Sequence, residues 1–283
     1  MITLRQIGYA GRLGNQMFQF ASALGIANKI SSDVKFPIEN TKNYLNNGPI
    51  DSKTGKSMDV KCDLLDCFSG KIETYFIESS LIESRYQFTE SGFEYDPAIS
   101  NIIPYTNING YYQTDLYFNF IQEKIKEIFN FKDEYKYIGN AIYESINGKN
   151  PKDEIISMHV RRGDYVLYPD HHPPCDINYY KNAIEIIKSE SQSPKKILIF
   201  SDDKEWCRIN FTGDEYIISE NDNPYIDLYL MSLCDYHIIA NSSFSWWGSW
   251  LAKSKKTIAP LKWFGPMLRN NTKDIYKKEW IIL

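Results

Sequence analysis

In the second half of the chain, short apolar runs alternate with segments of helical length or spacing. The runs are Ile155–Val160, Lys196–Ser201, Tyr216–Ser219, Tyr236–Ala240 and Thr257–Ala259. Between them lie Asn178–Ser189, Lys204–Ile209, Tyr225–Cys234 and Ser245–Lys253, which read as helices. Alternating strands and helices predict βαβ units and a parallel sheet covered on both faces. Such sheets bind ligands outside the carboxyl ends of their strands, so the pattern also says where chemistry belongs.

The first half is less regular. A strand at Thr3–Gly8 is followed by A-G-R-L-G-N-Q and by Met17–Ile30, an apolar stretch with helical spacing. Asn40–Asp59, rich in Asn, Lys, Ser and Gly, reads as loop. Tyr75–Ile82 and Ile108–Tyr112 read as strands, and Phe118–Phe129 as a helix. Gly, Asn and Pro punctuate Asn147–Asp153, the expected linker, which divides the chain into domains at 1–150 and 151–283. No internal repeat or low-complexity tract is present.

Composition narrows the class. The 283 residues are 43% hydrophobic and 24% charged, which excludes disordered and collagen-like chains. A net charge of −4 argues against a nucleic-acid partner. The charge is uneven: Lys253–Leu283 carries +6 and the remainder −10. A basic tail with Trp263, Phe264 and Trp280 suits weak peripheral contact with an anionic bilayer. The favoured reading is blander, with buried tryptophans and lysine stems lying along apolar surface. No apolar run is long enough to span a membrane, and no signal-peptide core follows the N-terminus. Cys62, Cys67, Cys175, Cys207 and Cys234 are odd in number and irregularly spaced, so no disulfide framework is expected. These features point to the cytoplasm.

Three motifs carry candidate chemistry. M-H-V-R-R-G-D-Y (Met158–Tyr165) leaves the end of an apolar strand, where alternation points His159 and Arg161 together and Arg162 oppositely until Gly163 turns the chain. A histidine and two arginines there form a cationic cluster, and the arginine fork suits a diphosphate. The competing reading is a structural pair of Arg161 or Arg162 with Asp164. G-R-L-G-N-Q (Gly11–Gln16) brings glycines to a helix N-terminus, where N–H groups approach an anion, but it matches neither common nucleotide fingerprint. In Tyr236–Leu251, Asn241, Ser242 and Ser243 can cap a helix or grip a phosphate, while Trp246, Trp247 and Trp250 read as core. Ser201-Asp202-Asp203 ends a strand, where a carboxylate binds ribose hydroxyls or caps the next helix. Asp227 opens a helix, and its carboxylate matches the N–H donors on one edge of guanine. Asn221-Asp222-Asn223 is no D-x-D metal motif, so no metal is expected.

Together these segments resemble the α-1,2-fucosyltransferases of glycosyltransferase family 11. The resemblance rests on G-R-L-G-N-Q-M-F-Q-F-A (Gly11–Ala21), N-G-Y-Y-Q-T-D-L-Y-F (Asn109–Phe118), H-V-R-R-G-D-Y (His159–Tyr165), F-S-D-D-K-E-W (Phe200–Trp206) and Asp227–Leu251. It implies an α/β, GT-B-like fold, with two Rossmann-like domains facing a cleft. It also implies inverting, metal-independent transfer of L-fucose from GDP-β-L-fucose to O2 of a terminal β-galactoside, such as a lipid-linked O-antigen unit at the inner face of a bacterial plasma membrane. The N-terminal domain would be the acceptor side and the C-terminal domain would bind GDP-fucose.

Carried over by residue, Arg161 would hold the β-phosphate, with His159 and Arg162 beside it. Asp203, Asp227, Asn241, Ser242, Ser243 and Phe244 would line the nucleotide site, and Gly14 and Asn15 would approach the diphosphate or fucose. Asp164 is the first candidate for the base and Asp170 the second. An α-1,6- or protein O-fucosyltransferase shares the arginine motif, but N-S-S-F-S-W-W argues against it. A non-catalytic carbohydrate-binding protein would explain the aromatic content but leave the cationic strand end without a purpose.

Overall fold

A computed structural model describes residues 1–50, 55–148, 154–190, 195–268 and 271–283. The chain forms two compact units, Met1–Lys132 with Asn270–Tyr276 and Asp133–Arg269 with Lys277–Leu283.

The first unit contains β1 (Ile2–Thr3), α1 (Leu13–Lys29), β2 (Phe36–Pro37), β3 (Leu45–Ile50), β4 (Ser57–Val60), α2 (Leu64–Cys67), β5 (Phe76–Ile77), β6 (Tyr86–Thr89), β7 (Thr106–Asn109) and α3 (Gln122–Ile128). Helix α1 is its spine, with nearly every side chain from Leu13 to Ala27 buried. Phe20 meets Phe36, Tyr75, Phe76 and Phe129 at ring-centroid distances of 5.1–6.4 Å. A three-stranded parallel sheet runs in the order β1-β7-β6.

Several expectations for this half need correction. The predicted strand Thr3–Gly8 is only the two residues of β1, because Ile7 and Tyr9 donate back to Leu4 and Gln6 in turns. Within the expected loop Asn40–Asp59, β3 and β4 pair antiparallel; the tip at 51–54 lies outside the described residues. Tyr75–Ile82 is a two-residue strand between short 3-10 turns.

The second unit contains α4 (Asp133–Asn147), β8 (Glu154–Val160), α5 (Gly163–Leu167), α6 (Ile177–Glu190), β9 (Lys195–Ser201), α7 (Lys204–Asn210), β10 (Tyr216–Ile218), α8 (Pro224–Leu233), β11 (Tyr236–Ile238), α9 (Ser243–Leu251), β12 (Lys256–Ala259) and β13 (Ile281–Ile282). Its six strands are parallel throughout, in the order β10-β9-β8-β11-β12-β13. Alternation along β8 divides the core. Ile156, Met158 and Val160 pack with Tyr180, Ala183, Ile184 and Ile187 of α6, whereas Ile155 packs with Ile226, Leu230 and Met231 of α8. Helix α4, through Ile146, Ile142 and Tyr143, joins the latter cluster, so the division between units falls before α4 rather than at 150/151. Of the expected linker Asn147–Asp153, residues 149–153 lie outside the described residues.

The basic tail supplies β13, which pairs with β12. Trp263 and Trp280 are 3% and 8% exposed, and Trp280 lies 5.8 Å from Trp246. Both tryptophans are core, in line with the favoured reading of the tail. Among the described residues no helix is long and apolar enough to cross a membrane. All five cysteines are buried thiols without disulfides.

Candidate functional site

Numbered from β8, the sheet order of the second unit is 3-2-1-4-5-6, the doubly wound order of dinucleotide-binding folds. Strand order reverses between β8 and β11, and in sheets of this order ligands bind at that point, outside the carboxyl ends. The end of β8 and the turn into α5 carry His159–Gly163, and the loop after β11 carries Ala240–Ser242 ahead of α9. A hydrogen bond joins the two: His159 Nδ1 lies 2.9 Å from Ser245 Oγ. The His159 ring is 7% exposed and 5.8 Å from that of Phe244. The two loops predicted to carry chemistry therefore meet at the switch point.

The arginines diverge as alternation requires. Arg161 forms ion pairs with Asp164 and, at 2.5 Å, with Asp202, and its guanidinium lies 5.1 Å from the centre of the Tyr165 ring. Arg162 turns toward α7, donating from Nε to Asp203 at 3.0 Å and covering the Trp206 ring at 4.3 Å. The expected cationic cluster is thus charge-compensated, with three carboxylates around two guanidiniums. The structural Arg161–Asp164 pair is present, in the same place as the site.

Asp202 acts on both the backbone and the fork. Its Oδ1 accepts the Arg162 N–H at 2.9 Å while Oδ2 meets Arg161. Burial raises its carboxyl pKa, but the Arg161 charge and the N–H groups of Arg162 and Gly163 outweigh that and hold it below its ordinary value. Gly163 is required for this approach, because a Cβ there would lie 2.5 Å from Asp202 Oδ2. The parallel register pairs Val160 with Ser201, so the next residues along, Arg161 and Asp202, face each other.

The remaining candidates divide by what their side chains already do. Asp203 caps α7, accepting the Trp206 N–H at 3.1 Å, and its other oxygen holds Arg162. Asn241 is 2% exposed; its amide donates to the carbonyls of Pro173 at 3.0 Å and Trp263 at 2.9 Å. Its side chain therefore braces the loop and has no donor left for a phosphate. Ser242 caps α9 by accepting the Phe244 N–H at 3.4 Å, and Ser243 and Phe244 form the first turn. Trp246, Trp247 and Trp250 are core.

Asp227, in the first turn of α8, accepts hydrogen bonds from Ser219 Oγ at 2.8 Å and Asn221 Nδ2 at 3.2 Å. Burial nonetheless pushes its pKa from 3.8 to about 6. Asp170 lies in an exposed turn and contributes its backbone carbonyl to Met267. Beside Arg161, the Tyr165 ring stacks on His172 at 4.9 Å, and burial lowers the His172 pKa. Neither His172 nor Ser245 was singled out by the sequence, and only the fold brings them here. Among the described residues no three His, Cys, Asp or Glu side chains are grouped to hold a metal ion.

Gly14 and Asn15 lie in the first unit, at the start of α1. Gly11 turns the chain at φ +86°, and Gln16 locks the loop by donating to the carbonyls of Gly11 and Lys61 and accepting the Asp63 N–H. Asn15 Oδ1 accepts from Gln113 Nε2 at 2.9 Å.

The chain is similar to known glycosyltransferases. The chain is 32% identical over 277 residues to an alpha-1,2-colitosyltransferase of Escherichia coli, covering 90% of each chain. It is 38% identical over 136 residues to the O-antigen biosynthesis glycosyltransferase WbnK of Escherichia coli, covering 45% of this chain and 44% of that one. Among solved structures, NodZ alpha-1,6-fucosyltransferase co-crystallized with GDP superposes with a TM-score of 0.54 at 15% identity, over 89% of this chain and 92% of that one. This likeness supports a GT-B-like α/β fold. The sequence profile of Glycosyl transferase family 11 matches residues 2–283, and the chain is a member of that family.

Proposed function

We propose that the protein transfers L-fucose from GDP-β-L-fucose to O2 of a terminal β-galactoside, with inversion at the fucose anomeric carbon. The observation that carries this reading is the switch point, where Arg161 is held between Asp164 and Asp202 and His159 hydrogen-bonds Ser245 in the first turn of α9. As the C1–O bond to GDP breaks, negative charge grows on the β-phosphate. Arg161 is fixed beforehand by Asp164 and Asp202, and each terminal guanidinium nitrogen carries a second N–H for that phosphate. His159, oriented by Ser245, assists beside it. Preorganised donors of this kind lower a barrier without reorganising during the reaction.

Asp227 receives the guanine edge, and Ser242, Ser243 and Phe244 line the nucleotide. Asn241 and Asp203 support the site through the loop and through Arg162. Gly14 and Asn15 are assigned to the donor on family resemblance alone. The acceptor oxygen bonds to C1 from the face opposite GDP, and its proton passes to a carboxylate. Asp164 is a weak choice for that proton, since Arg161 already neutralises it.

A second donor has a specific observation in its favour, namely the 32% identity to a colitosyltransferase across 90% of the chain. Colitose lacks the 3-hydroxyl of fucose, so competition between GDP-fucose and GDP-colitose separates the two readings. The primary test is GDP-fucose turnover against a panel of β-galactosides, followed by linkage analysis. An α-1,2 product is expected. An α-1,6 product, or GDP-fucose left intact beside every galactoside, overturns the assignment.

A further inference from the structure

The carboxyl edge of the first unit's sheet holds a carboxylate that none of the steps above uses. Glu90 follows β6, and its N–H pairs with the Asn109 carbonyl at the end of β7 at 2.9 Å. Its Oε2 accepts the Tyr111 N–H at 2.7 Å and its Oε1 the Tyr112 N–H at 2.9 Å. The turn thus gripped is strained. Gly110 has φ +151° and Tyr112 φ +52°, and a Cβ on Gly110 would lie 2.5 Å from the Glu90 side chain. Left-handed backbone at a bulky aromatic residue persists only where its surroundings enforce it, and such positions cluster at ligand sites.

Among the described residues no cation pairs with Glu90. The ionisable groups facing it are Asp96, Tyr111, Tyr112 and Tyr117. Burial pushes the Glu90 pKa from 4.5 to about 7, against the opposing effect of the two N–H groups. The contrast with Asp202, which has Arg161, is plain. Each carboxylate oxygen accepts one N–H and retains capacity for a second donor. A partly buried carboxylate with unused acceptors and no counterion among the described residues suits a ligand rich in neutral O–H donors. Beside it the Phe93 and Tyr111 rings stack at 6.1 Å with 25° between their planes, both partly exposed. Paired rings of that kind suit the C–H face of a galactopyranose.

We infer that this edge is a subsite for the acceptor sugar, in which Glu90 accepts a hydroxyl of the galactoside and the Phe93–Tyr111 pair covers its apolar face. The inference rests on the reading of the acceptor as a glycan. The same edge carries the Asn15–Gln113 hydrogen bond, so the segment following the turn that Glu90 holds is tied to the first turn of α1.

The test compares wild type, Glu90→Gln and Phe93→Ala in lactose KM, GDP affinity and thermal midpoint between pH 6 and pH 9. Saturation-transfer NMR with lactose supplies a binding readout that needs no turnover. At pH 8 Glu90→Gln is expected to raise the lactose KM about tenfold, the loss of one charge-assisted hydrogen bond, with GDP affinity unchanged. Phe93→Ala raises it about threefold to tenfold. The wild-type KM rises as pH falls through about 7, where Glu90 protonates, and Glu90→Gln lacks that break. Unchanged lactose KM and lactose NMR signal in both variants, or the same pH break in Glu90→Gln, overturns the subsite. If wild type binds lactose but never fucosylates it, the proposed reaction fails, while loss of the NMR signal in Glu90→Gln still supports the subsite.

Discussion

The two proposed ligand sites lie at the carboxyl edges of parallel sheets, one in each unit, and differ in their electrostatics. In the second unit the three carboxylates around the end of β8, Asp164, Asp202 and Asp203, each face a guanidinium, and Arg161 meets two of them. In the first unit Glu90 has two backbone N–H groups and a like-charged neighbour. Guanidiniums held in advance suit an anion whose charge grows during reaction. An uncompensated carboxylate suits a neutral polyol. On the proposed assignments, charge sorts the donor from the acceptor.

The contrast breaks most sharply at Arg161. Arg161→Lys keeps the charge and removes the fork, and turnover of GDP-fucose should fall on the order of 100- to 1,000-fold, with the circular dichroism of a folded protein. Wild-type turnover in that variant would take Arg161 out of the mechanism. Gly163→Ala probes the same fork indirectly, since its methyl group meets Asp202. A displaced carboxylate misaligns Arg161, and kcat should drop roughly 10- to 100-fold. Equal kcat would mean that Asp202 does not position the arginine.

How far the sequence led depends on strand length and burial. Strands β8, β9, β11 and β12 are buried on both faces, and their continuous apolar runs stand out from the helical segments between them. The two-residue strands β1, β2 and β5 are too short to express any period, and the β3–β4 hairpin is polar enough to read as loop. At the site, His159, Arg161 and Arg162 were legible because a strand simply ends there. The Arg161–Asp202 pair was not, because it depends on which strand neighbours β8 and in what register. Asn241 reads as a phosphate ligand from its place in the motif, but loops distant in sequence claim its amide. Glu90 carries no local signal at all, being one acid in an irregular stretch.

Asp227 sharpens the comparison through pH. Its charged form, which the guanine N–H donors require, prevails above about 6, so GDP affinity should weaken as pH falls below that value. Isothermal titration of Asp227→Asn should show about tenfold weaker GDP binding at pH 8 and no such break. The linkage sign for stability is opposite. A carboxyl raised above its unfolded value favours the fold at low pH, and that contribution is lost as pH rises through about 6. Ligand-free Asp227→Asn should therefore resist urea about 1 kcal/mol better than wild type at pH 8. The smallest effect is expected from chelation: turnover in excess EDTA should match that without it, and a strict requirement for added Mn²⁺ would refute a mechanism in which arginine alone compensates the leaving group.

Strand β13 has a consequence for the integrity of the sheet. Residues 281–282 pair beside β12, and Trp280 seals against Trp246 on α9. Cutting the chain after Glu279 would turn β12 into an edge strand with an open row of peptide groups, ready to pair with any extended neighbour. Those few residues therefore guard the second unit against self-association as much as they fill its core.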